Sequence, residues 1–208
     1  MAAFGRYYWP AFIKPVATFR AILGSDSKLM FALYAMLINM FAYTLVYVFL
    51  VFGNGRPYKP WLNIPEELYY RYNVWFTAPT MFIGWLAAAA LIHLLTRAFT
   101  SRGTFDDLLI LLGFSISIAS WSTSVHDVVT SCLGAFRVID QQHYELLLNT
   151  PTIWRTILWI LFGIYFAWFI LLFSVSVYIV YKPSKYASLL LGIAGFALYQ
   201  GFFLVFNR

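Results

Sequence analysis

Ser117, Ser120, Ser124, His126 and Asp127 lie close together in the chain, and they are the residue types from which a hydrolytic nucleophile, its base and an orienting acid are made. Their spacing argues against that chemistry. On a continuous helix, residues one and two apart point in different directions, so Ser124, His126 and Asp127 cannot converge as a triad without partners from other helices. The spacing does produce a polar stripe. Gly113, Ser117, Ser120, Ser124, Asp127 and Ser131 recur at alternating intervals of four and three, which places them on one helical face. Two readings of this stripe are open. Small hydroxylated residues let helices approach closely in lipid and bond their own carbonyls or a neighbour, so the stripe can be a packing face. It can also line a water-filled or lipid-headgroup cavity, with His126 and Asp127 at its mouth.

A second candidate is His93 with Arg97, four residues apart and on one face at the other end of a different helix. Arg97 can snorkel to the interface. His93, about one turn deeper, is either a partner in an interhelical hydrogen bond or a titrating, ligand-binding group. No Gly-rich phosphate loop, H-E-x-x-H or Cys-x-x-Cys-His pattern is present. The one cysteine, Cys132, excludes an intramolecular disulfide, and the three histidines lie far apart. The expectation is therefore a non-enzymatic protein with no catalytic residue, no metal and no cofactor.

The elements that position these residues are apolar helices. The 208 residues are 62% hydrophobic and 11% charged, against roughly 25% charged in a soluble domain. Runs of about 20 residues or more, enough to cross a bilayer, occur at about 28–52, 78–99, 106–129, 153–181 and 185–206. Strand-type alternation is absent from them, so helices rather than a barrel satisfy the backbone. The fold class is an all-α integral membrane protein. It is one transmembrane domain, 1–208, with five transmembrane helices and a short interfacial amphipathic helix in the N-terminal segment 1–24.

That segment lacks a signal-peptide core, because Pro10, Lys14 and Pro15 interrupt it, and it is expected to be retained. Val16, Phe19 and Leu23 share a side, which suits a helix on the membrane surface with either a packing or a lipid-sensing role. Asn39 needs a polar partner inside the first span. Gly53-Asn54-Gly55-Arg56-Pro57 ends that span. An aromatic loop follows with Tyr58, Trp61, Tyr69, Tyr70, Tyr72 and Trp75, where Asn63 and Glu66 can cap a short helix. Thr77 as cap and Pro79 in the first turn predict the start of span two, with Gly84 and Ala88 as a close-contact pair. A short turn, Ser101-Arg102-Gly103, leads to span three, where Thr104 caps and Asp107 stands three residues on. Asp127, at a disfavoured helix C-terminus, requires a cationic neighbour such as His126 or an arginine. Leu133 to Asn149 is expected along the surface. Thr150 and Pro151 start span four, whose contact face is Gly163 and Ala167, and span five presents Ser188, Gly192 and Gly195.

The net charge of +6 includes no dense basic block, which excludes nucleic acid and suits anionic lipid surfaces. With the N-terminus cytoplasmic, inner segments carry eight Lys and Arg and outer segments six. That bias predicts N-inside and C-outside.

The segment FIKPVATFRAIL, the hairpin HLLTRAFTSRGTFDDLLILLGFS and the terminal pair of spans resemble the Yip1 domain family of five-span membrane proteins. The resemblance implies a cytosolic N-terminus, five helices and a C-terminus on the far side. Eukaryotic relatives act in vesicle trafficking with small GTPases and carry an Asp-Leu-Tyr-Gly-Pro-like motif in a long N-terminal region. Here Glu67-Leu68-Tyr69 falls after the first span, so small-GTPase binding is not expected, and the short form resembles prokaryotic members of the plasma membrane. The expected function is to organise lipids or to scaffold a partner membrane protein or a second copy. The alternative is a lipid scramblase or small-solute carrier that uses the Ser-rich face of span three.

Overall fold

The computed structural model describes residues 2–57, 62–98 and 102–207. The expected positions of Tyr58, Trp61 and Ser101 lie outside the described residues. Among those described, every regular element is helical: α1 (Ala2–Tyr8), a single 3-10 turn at Pro10–Phe12, α2 (Pro15–Leu23), α3 (Lys28–Phe52), α4 (Glu66–Arg97), α5 (Phe105–Ala135), α6 (Gln141–Asn149), α7 (Ile153–Tyr181) and α8 (Lys185–Asn207). Five of these, α3, α4, α5, α7 and α8, are long and apolar enough to cross a membrane.

The centre of the bundle is α5. Of its most apolar stretch 83% is buried, against 39% or less in the other four long helices, because its small residues let neighbours close on every side. Gly113 is one such point, since a Cβ there would meet the Trp85 ring at 3.0 Å. α3 runs parallel to α5, pinned at the proximal end by Lys28 Nζ on Asp107 Oδ1 (2.7 Å) and farther along by Tyr43 and Thr123 hydroxyls 3.0 Å apart. Trp85 of α4 donates to the Leu109 carbonyl, and Ser115 and Ser176 hydroxyls join α5 to α7 at 3.0 Å. α8 returns antiparallel to α7. At their crossing a Cβ on Gly192 would lie 2.8 Å from the Ser174 backbone nitrogen, while Gly195 faces Ile92 of α4.

The N-terminal segment packs against the bundle, the packing role among the two expected for it. Phe4, Tyr8, Phe19 and Ile22 are buried in the same core as Phe114 and Phe169. The Tyr8 hydroxyl meets Ser117 Oγ at 2.8 Å and accepts from Trp121 Nε1–H at 2.7 Å, and Ser117 stands about 18 Å along α5 from its start at 1.5 Å per residue. Trp9, Ile13 and Val16 remain exposed, so the segment turns one apolar side into the bundle and another outward.

Several helix ends differ from expectation. α4 begins at Glu66 after Pro65, with no side-chain cap from Asn63, and Pro79 lies inside it. Pro79 cannot donate to the carbonyl four residues back. The Thr77 hydroxyl is not a cap but bonds the Asn73 carbonyl at 2.6 Å, a pairing that helices tolerate near such breaks. α5 continues to Ala135, and α7 is capped by Thr152, whose hydroxyl accepts from the Arg155 N–H at 3.3 Å. Thr150 instead closes α6 by bonding the Leu146 carbonyl. Gly163 and Ala167 are exposed rather than in close contact, and nothing lies within 4 Å of a Cβ built at Gly163.

Candidate functional site

At the distal end, where α3 and α5 finish and α7 begins, the long helices part around a cavity of about 700 Å³. Each wall is a helical stripe. Tyr43, Val46, Tyr47 and Leu50 come from α3, and Leu158, Trp159, Phe162 and Phe166 from α7, at the three- and four-residue intervals that share a face. α5 contributes Thr123, His126, Asp127, Thr130 and Ser131, and α6 covers the group with Gln141, Tyr144 and Glu145. The floor is polar and paired: Tyr43 meets Thr123, and the Tyr165 hydroxyl donates to Gln200 Oε1 at 2.9 Å. Below it, Phe169 stacks on Tyr199 with centroids 5.3 Å apart, and Ile116 and Ala119 are buried, so the proximal half of the bundle is packed.

The cavity is amphipathic. Leu158, Phe162, Phe166, Phe203 and Leu204 form an apolar wall towards α7 and α8, while Arg56 and Arg155 stand on the same lining with Asp127 and Glu145. Trp159 is 61% exposed and Phe166 37%, so this wall continues onto the outer, apolar surface of the bundle.

His126 connects two elements. Its Nδ1 lies 2.9 Å from Asp127 Oδ1 and its Nε2 2.9 Å from the Tyr144 hydroxyl. A carboxylate can only accept, so Nδ1 carries the proton towards Asp127, and in the neutral ring Nε2 accepts from Tyr144. Asp127 thus has the His126 neighbour expected for it, although α5 runs two turns past it to Ala135 and the helix C-terminus is not what calls for one; both ring nitrogens are filled without Ser124. Glu145 sits against the Gly53–Pro57 turn: Gln141 Nε2–H donates to one carboxyl oxygen at 3.1 Å and the Arg56 backbone N–H to the other at 3.2 Å. Gly55 lets the carboxyl come close, since a Cβ there would lie 2.8 Å from Glu145 Oε1 and the Glu145 side chain would have to shift. Burial pushes the Glu145 carboxyl up to about 7, with the two hydrogen bonds opposing it, because burial disfavours the charged form. Burial likewise raises the Tyr144 phenol, with the Asp127 charge adding to it.

The candidate stripe divides between the two readings. Ser117, Ser120 and Ser124 are buried; Ser117 bonds Tyr8, and Ser120 bonds the Ile116 carbonyl at 2.8 Å. None of the three is on the cavity lining, whereas Asp127 and Ser131 are, joined by His126 and by Thr123 and Thr130 one residue around the helix. His93 lies in a chain of hydrogen bonds at the proximal end. Arg97 Nε–H donates to His93 Nε2 at 3.3 Å, His93 Nδ1 lies 2.6 Å from the Tyr181 hydroxyl, and that hydroxyl donates to the Thr104 carbonyl at 3.3 Å. This is the interhelical bond among the two readings of His93. Among the described residues no three His, Cys, Asp or Glu side chains gather as a metal site.

Sequence reasoning did not single out Glu145, Tyr144, Arg56 and Arg155 as site residues. The signal in α6 was available, since Gln141, Tyr144, Glu145 and Leu148 fall at positions that share one helical face. No signal identified what that face would cover. The chain matches no protein family, no curated protein and no solved structure.

Proposed function

We propose that this chain is a non-enzymatic multi-pass membrane protein that binds a membrane amphiphile in its distal cavity and through it organises the surrounding lipid. The observation that carries this reading is the lining itself. Leu158, Phe162, Phe166, Phe203 and Leu204 form an apolar surface that continues onto the outside of the bundle, while Arg56, Asp127, Glu145 and, at the start of α7, Arg155 place charged groups around the rest of the lining. An amphiphile has the same division, and a concave site with few convergent polar groups is the ordinary form of a small-ligand site. The resemblance of FIKPVATFRAIL and of the span-two to span-three hairpin to the Yip1 domain family supports the same class of role. The Lys and Arg count supports a cytoplasmic proximal end, and with it a cavity that opens at the outer leaflet.

Binding is supported over transport. A scramblase or carrier using the third span needs a path past Ser117 and Ser120, and both are buried among Tyr8, Ile116 and Phe114.

Filling the cavity tests the reading. Leu158→Trp adds bulk on the apolar wall away from the packed half. Lipid retained by detergent-purified protein after gel filtration, quantified by mass spectrometry, is expected to fall about fivefold, close to 1 kcal/mol. Equal retention by the variant and the parent, or none by either, contradicts the proposal.

A further inference from the structure

The charges on the cavity wall give the occupant a sign. Two acids and two guanidiniums face the space, and the acids are engaged within the wall. Asp127 accepts from His126 at 2.9 Å, and Glu145 accepts from the Gln141 amide and from the Arg56 backbone. Lys28 with Asp107 and His126 with Asp127 are the ion pairs among the described residues, so the Arg56 and Arg155 side chains have no carboxylate within ion-pair distance there. Both nevertheless line the cavity, Arg56 exposed at its mouth and Arg155 half-buried on its wall. Arg155 stands in the first turn of α7, the end of a helix at which backbone N–H groups and the dipole add positive potential.

From this we infer that the cavity holds an anionic lipid, its phosphate against Arg56 and Arg155 and an acyl chain along the Leu158, Phe162 and Phe166 wall. The inference rests on the reading of the cavity as an amphiphile site and adds the charge of the headgroup. Guanidinium is suited to this, since its planar fork donates two parallel bonds to phosphate oxygens. The apolar wall distinguishes a lipid from a free anion, because inorganic phosphate leaves that wall without contact.

The test uses the full chain in detergent, with phosphatidylglycerol and phosphatidylcholine of identical acyl chains as probes and native mass spectrometry as readout. Phosphatidylglycerol is expected to be retained at least tenfold over phosphatidylcholine. In Arg56→Gln/Arg155→Gln that preference is expected to vanish, phosphatidylglycerol retention falling further than that of phosphatidylcholine, whose phosphate loses the same partners but whose choline cation already offsets its charge. Arg56→Lys/Arg155→Lys, which keeps the charge and loses the fork, is expected to recover part of it. Equal retention of the two lipids by the parent overturns the anionic inference and leaves the amphiphile site standing, whereas retention of neither removes both. Displacement of phosphatidylglycerol by micromolar inorganic phosphate shows a free-anion site and also overturns it. An intact thermal transition in the double variant separates lost binding from lost folding.

Discussion

Gly192→Leu is expected to prevent the bundle from assembling. A Cβ at this position would overlap Ser174 Oγ and lie 2.8 Å from the Ser174 backbone nitrogen and 3.1 Å from its Cα. A hydroxyl can rotate away; the backbone of α7 cannot. Even alanine therefore forces the α7–α8 hairpin apart, at a cost of about 3 kcal/mol, the upper part of the usual range for overpacking, and leucine exceeds it. The damage spreads because α8 also carries Gly195 against Ile92 of α4, Tyr199 against Gly84, and Gln200, which accepts from Tyr165 at the cavity floor. Gly201, with nothing within 4 Å of a built Cβ, is the matched control. In gel filtration of detergent extracts, Gly192→Leu is expected to aggregate and Gly201→Leu to elute as the parent does. A monodisperse Gly192→Leu contradicts the α7–α8 packing.

Glu145→Gln is expected to stabilise the protein at alkaline pH and to change little at acid pH. Burial raises the Glu145 carboxyl from 4.5 to about 7, so the folded state holds its proton where the unfolded chain has lost it. Stability is then highest below about 4.5, falls as pH rises between about 4.5 and about 7, and is flat above. At about 1.4 kcal/mol per pKa unit, reduced for partial solvent contact, the penalty at pH 8 is on the order of 2 kcal/mol. The charged and titrating groups around Glu145 are Arg56 on the adjoining turn, Tyr70 of α4, and His126, Asp127 and Arg155 on the other cavity walls. The amide preserves the local bonds: its oxygen can still accept from the Arg56 N–H, and its NH2 can donate to Gln141 Oε1, which has no partner, once the Gln141 amide turns over. SDS-induced unfolding at pH 5 and pH 8 is the measurement. A stabilisation equal at both values contradicts the assignment of the burden to the ionised carboxyl.

The sequence made the long helices legible for the reason it made them apolar. Ile153 to Tyr181 is found with the expected bounds, although Thr152 and not Thr150 caps it, because Pro151 and Pro183 bracket a run whose single charge is Arg155. The start of α4 was not legible. Thr77-Ala78-Pro79 carries a stronger local helix-start signal than Pro65-Glu66, and only tertiary contacts, such as Tyr70 against Tyr47, hold the extra turns. The Ser117, Ser120 and Ser124 face was visible as a stripe, but which neighbour it met depended on Tyr8, distant in sequence and placed by α1. The cavity was hidden for a similar reason. Its walls come from α3, α5, α6, α7 and α8, and each stripe by itself matches that of an ordinary packed helix.

A distal cavity open to water and closed below Thr123 is most directly tested by thiol accessibility in a Cys132→Ser background. Cysteines placed singly at Thr130, on the cavity wall, and at Ser117, beside Tyr8, are to be compared for reaction with a charged methanethiosulfonate in lipid membranes. Thr130→Cys is expected to react at least tenfold faster than Ser117→Cys. Equal rates at the two positions, whether both fast or both slow, contradict it.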